Sequence, residues 1–87
     1  MKTTVFLRQI AEDPVKISRF TADEIQLHIR GTERLLFEEI IDNPRRRTSL
    51  ELAYDALTMI SHEKNLGYSE SDVISTIARS WPYMVGK

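Results

Sequence analysis

Phe20-Thr21-Ala22-Asp23-Glu24-Ile25 carries a complete helix-start signal. The Thr21 hydroxyl can accept a hydrogen bond from the backbone N–H three residues on, and the Glu24 carboxylate can reach back to the N–H of the cap. Phe20 and Ile25 form the apolar staple that sets the entry angle of the chain. The same pattern recurs as Thr48-Ser49-Leu50-Glu51 and as Ser69-Glu70-Ser71-Asp72, with Tyr68 and Val73 as a second staple. Three such boxes predict three capped helices.

Working outward, the spacing of apolar residues sets the lengths. At about 100° per residue, Ile25, Ile29, Leu36 and Ile40 stay on one stripe, with Phe37 at its edge and no phase reset at Gly31. The first capped helix is therefore expected over residues 22–42, ending before Asn43-Pro44. The second is expected over residues 49–63, with Leu50, Ala53, Ala56, Leu57 and Ile60 as its stripe, widened by Leu52 and Met59. Glu51, Asp55, Thr58 and His62 fall on its solvated side. Lys64-Asn65-Leu66-Gly67 reads as its end, with Gly67 or Asn65 in the left-handed conformation. The third helix, over residues 70–80, should bury Val73, Ile74, Ile77 and Trp81 before Pro82 stops it. The class is mainly α, a compact three-helix core.

Residues 3–20 are open between two readings. Thr4-Val5-Phe6-Leu7 and Val15-Lys16-Ile17 are rich in β-formers around the turn Ala11-Glu12-Asp13-Pro14, so Val5, Leu7, Val15 and Ile17 can share one face of a β-hairpin, the preferred reading. The alternative is a short helix pair: one helix to Glu12, then Asp13 as cap and Pro14 at the first helical position.

The chain has 87 residues, a net charge of −1, no cysteine, 41% hydrophobic and 29% charged residues, which reads as one soluble globular domain over residues 1–87. No apolar run exceeds three residues, so no membrane span is expected; Lys2 lacks the apolar stretch of a signal peptide. Without cysteine there are no disulfides, thiolate chemistry or cysteine-ligated zinc, and a cytoplasmic location is expected.

Three features carry the candidate sites. Leu27, Gly31 and Leu35 form a narrow apolar strip opposite Ile25 and Ile29. It is either covered by residues 3–20 or another helix, or it is an interface with a partner or a second copy. Arg45, Arg46 and Arg47 fall in the loop between two predicted helices, where guanidiniums suit phosphate or carboxylate. Acidic flanks (Glu38, Glu39, Asp42, Glu51 and Asp55) argue against a broad nucleic-acid face. Tyr83 and Met84 in the C-terminal tail are the remaining interface candidates.

Leu66-Gly67-Tyr68-Ser69, followed by Val73 and Ile77, resembles the helix-opening turn of two protein-binding modules, the C-terminal domain of the bacterial junction protein RuvA and ubiquitin-associated domains. The resemblance is confined to this turn and the helix after it, and it carries no site over. As a helix-turn-helix reader the same segment is poor, because Glu70 and Asp72 would face the phosphates.

No catalytic constellation stands out. His28, placed near the polar flank of its helix, and His62 are not brought together by spacing, and no phosphate loop, zinc motif or nucleophile elbow occurs. No cofactor or metal is expected. The reading is a non-enzymatic protein-binding adaptor, regulator or inhibitor that occupies a partner's surface, in the style of bacterial or bacteriophage accessory proteins. The alternative is a nucleic-acid-binding regulator that uses the Arg45–Arg47 loop as a dimer.

Overall fold

The computed structural model describes residues 2–38 and 44–81. Helix α1 spans Thr3–Glu12, a 3-10 helix spans Pro14–Arg19, α2 spans Ala22–Glu38, α3 spans Pro44–Asn65 and α4 spans Glu70–Ser80. Among the described residues there is no strand. The β-hairpin expected over residues 3–20 is therefore replaced by the helix pair.

The physical reason lies in which side chains find cover. Phe6 and Ile10, four apart and thus on one helical face, are both fully buried, whereas Val5 and Val15 of the supposed hairpin face are exposed. Pro14, unable to donate to a strand ladder, sits at the start of the 3-10 helix, whose Ile17 is fully buried. Ser18 donates its hydroxyl to the Val15 carbonyl at 2.8 Å, and Lys64 from α3 donates to the Ser18 carbonyl at 2.7 Å. The 3-10 segment is thereby tied both to itself and to the far end of α3.

The Thr21 box forms in full: Glu24 N–H donates to Thr21 Oγ1 at 3.1 Å, and Thr21 N–H donates to Glu24 Oε1 at 2.8 Å. These bonds hold the Glu24 carboxyl below the usual carboxylate range. Helix α2 then runs unbroken through Gly31 to Glu38; the stretch expected to continue to Asp42, with Ile40, lies outside the described residues. Ile25, Ile29 and Thr32 take the buried face, while Phe37 is 86% exposed instead of edging the stripe.

The Thr48 box does not form a cap. Helix α3 begins at Pro44, a full turn before the expected start near Ser49, and Thr48 Oγ1 donates to the Pro44 carbonyl at 2.9 Å from inside the helix. Proline suits the first helical position, because its missing N–H would be unsatisfied there anyway. The arginines that follow are good helix formers, so a start at Pro44 costs little. Apolar periodicity begins only at Leu50 and cannot register this polar first turn.

The end of α3 is a Schellman motif. Gly67, at φ 83°, donates to the Lys64 carbonyl at 3.1 Å, and Tyr68 N–H donates to the Glu63 carbonyl at 3.1 Å. Ser69 then caps α4, accepting from Asp72 N–H at 3.2 Å. Glu63 and Thr76 join the two helices, with Thr76 Oγ1 donating to the Glu63 carboxylate at 2.7 Å. The core gathers Phe6, Ile10, Ile17, Ile25, Leu57, Ile60, Ile77 and Trp81 from all the elements, and α2 and α3 share the most extensive packing. No helix among the described residues is long and apolar enough to cross a membrane.

Candidate functional site

Helices α1 and α3 both pack on α2, and residues of all three line a groove of about 310 Å³. Its floor is Leu50, Ala53 and Trp81, all buried; Leu7, Ala11 and Leu35 form half-buried walls; and Thr4, Ser49, Arg8 and Arg46 complete the lining. Arg8 and Arg46 are both exposed and come from different helices. No carboxylate or histidine is among the described lining residues. An apolar floor under two guanidiniums, on a chain of net charge −1, is a local reversal of the overall charge. The described lining thus combines an apolar floor with two guanidiniums, the kind of lining seen in concave binding sites.

The structure distributes the arginine triplet instead of gathering it. Arg45, Arg46 and Arg47 lie in the first turn of α3 and not in a loop. Successive helical residues point about 100° apart. Arg46 accordingly lines the groove, while Arg47 lines a different concavity beside Glu33 and Glu51. Arg46 and Arg47 therefore do not share one concavity.

The Leu27–Gly31–Leu35 strip is divided. A Cβ built on Gly31 would overlap the Thr3 side chain of α1, so this chain's own first helix covers the glycine. Leu27 is 66% exposed, and Leu35 belongs to the groove wall. Tyr83 and Met84 lie outside the described residues.

One group that the sequence reading misplaced is His28. It is buried instead of lying on a polar flank. Phe6 stacks on it with centroids 3.9 Å apart, Phe20 meets it edge-on, and the Thr3 hydroxyl lies within hydrogen-bond distance of Nδ1 at 3.3 Å. Burial lowers its pKa. Thr32, one turn on and fully buried on the same face, donates its Oγ1 to the His28 carbonyl at 2.7 Å. His62 is exposed, and among the described residues no three His, Asp or Glu side chains form a metal-binding group. Trp81 is buried with its indole Nε1 unpartnered among the described residues.

No family model, no curated protein and no solved structure matches this chain.

Proposed function

We propose that this chain is a non-enzymatic protein-binding module, an adaptor, regulator or inhibitor that works by occupying a partner's surface through the groove between α1, α2 and α3. The observation that carries the reading is the pairing of an apolar floor, Leu50, Ala53 and Trp81, with Arg8 and Arg46 from two different helices. The groove sits at the bottom of the ~300–1,000 Å³ range of small-molecule pockets, a size suited to one or two anchoring side chains. Its occupant is an apolar segment of a partner protein flanked by aspartate or glutamate. Apolar burial supplies the affinity and the arginines supply orientation and steering.

A random-peptide display selection against the immobilised full chain tests this. Enriched peptides are expected to place one or two large apolar residues beside acidic ones, and their binding is expected to fall at least tenfold in an Arg8→Glu/Arg46→Glu variant with unchanged helix content. No enrichment, or enriched peptides that bind the variant equally well, would overturn the reading. The nucleic-acid alternative has its own signature, a low-salt gel shift abolished by replacing Arg45, Arg46 and Arg47 with alanine.

A further inference from the structure

Helices α2 and α3 carry a second, open concavity of about 400 Å³, which shares no lining residue with the groove. Glu33, Leu36, Phe37, Arg47, Glu51 and Tyr54 line it. Phe37 is 86% exposed, more than any other large apolar side chain among the described residues. Leu36 and Tyr54, in the same lining, are half-buried. Among the described residues nothing covers this ring, and with Leu36 and Tyr54 it makes an apolar patch beside the hollow, the kind of surface that marks a contact site.

The charges on this face say what the counterpart is. Glu33 and Glu51 are acidic and Arg47 is basic, all three exposed around one hollow. A single-sign face repels its own copy and selects a partner of opposite charge. A face with both signs can satisfy itself when a twofold axis brings each acid against the other copy's base, and closed twofold pairing is the commonest assembly of identical chains. The same face also holds both a knob, Phe37, and a hollow to receive one, which self-complementary contact requires.

We propose that this face is a homodimer interface. Across the twofold axis, Phe37 of each copy enters the hollow of the other against Leu36 and Tyr54. Arg47 of each copy pairs with Glu33 or Glu51 of the other. The face shares no lining residue with the Arg8 and Arg46 groove, so the proposal stands independently of the peptide-binding reading.

Sedimentation velocity on the full chain, from low micromolar to several hundred micromolar, tests the proposal. The wild type is expected to approach twice the monomer mass as concentration rises. Phe37→Asp is expected to stay monomeric throughout, with helix content unchanged by circular dichroism. Glu33→Arg/Glu51→Arg, which makes the face wholly basic, is expected to be monomeric as well, and adding Arg47→Glu is expected to restore the dimer. A wild type that is monomeric at every concentration overturns the proposal. So does a dimer that persists in Phe37→Asp or in the all-basic variant, since the contact would then lie elsewhere. The charge-swap series decides the matter independently should Phe37→Asp lose its fold.

Discussion

The imidazole of His28 lies face to face on the phenyl ring of Phe6, their centroids 3.9 Å apart and their planes 5° apart. This contact is the seam between α1 and α2: Phe6 is fully buried, His28 is 8% exposed, and Thr3 one turn earlier in α1 reaches the imidazole Nδ1. Burial in this place disfavours the charged imidazole, which would lose its hydration against a phenyl face, and so lowers the His28 pKa.

Stability should therefore depend on pH through this seam. Burial lowers the His28 pKa below its ordinary 6.5, so between the folded and unfolded values the unfolded chain binds more protons. The contribution is complete above the unfolded pKa and is lost as pH falls below it towards the lowered folded value. Glu24, also lowered, acts in the same direction but in a more acidic window, below its ordinary 4.5. Urea midpoints at about pH 7.5 and about pH 5.5 should show the wild type weaker at the lower pH. His28→Phe should flatten that difference while keeping the stack. An equal slope in the variant would place the titrating group elsewhere.

Gly31 is mid-helix because Thr3 occupies the space where its side chain would be. Alanine ordinarily stabilises a helix interior by about 1 kcal/mol over glycine. Here Gly31→Ala is expected to destabilise, by about 1–3 kcal/mol, because the obstruction includes Thr3 Cβ and α1 must shift as a body. Adding Thr3→Gly, which removes the obstructing atoms, should recover part of the loss. A double-mutant cycle with a coupling energy near zero would contradict this account.

Thr21 and Thr48 open identical sequence patterns but do different jobs. Thr21 caps α2 through two reciprocal bonds, so Thr21→Ala is expected to cost about 1 kcal/mol. Thr48 bonds back to the Pro44 carbonyl within α3, an arrangement with little net gain. Thr48→Ala is expected to be neutral or to stabilise by a few tenths of a kcal/mol, since alanine is the better helix former. Thermal unfolding of the two variants side by side separates the roles.

Trp81 Nε1 is buried without a partner among the described residues, a state that costs roughly 1–3 kcal/mol. Trp81→Phe removes the orphaned donor along with part of the buried ring. Its cost should stay below about 1.5 kcal/mol, against about 3–5 kcal/mol for Trp81→Ala. If phenylalanine proved as damaging as alanine, the indole N–H would have to be satisfied in the folded chain.

Much of the fold was legible in residue order, and the failures have separate causes. The Thr21 box, the Gly67 turn, the Ser69 cap and the unbroken phase through Gly31 were all readable, because each depends on groups within a few positions of one another. The Thr48 box misled because a competing start at Pro44 lies one turn upstream, in a segment with no apolar residue to mark it. The candidate groove was legible only in pieces. Leu35 and Arg46 were singled out, but Leu7, Arg8 and Ala11 belong to a segment preferred as a hairpin, and a hairpin would have scattered them.

By itself, then, the sequence determined where α2 and α4 begin, how α3 ends, and that the chain is mainly helical. Those features arise from hydrogen bonds closed within a turn or two and from apolar spacing along one element. Tertiary structure alone decided that residues 3–12 are helical, that His28 turns inward under Phe6, why position 31 is glycine, and that Arg46 and Arg47 line two different concavities. A short apolar run takes the conformation of whatever surface will bury it. For Phe6 that surface includes His28 of α2, and for Phe6 and Ile10 together it is the apolar core, which exists only once α2 and the elements behind it have packed.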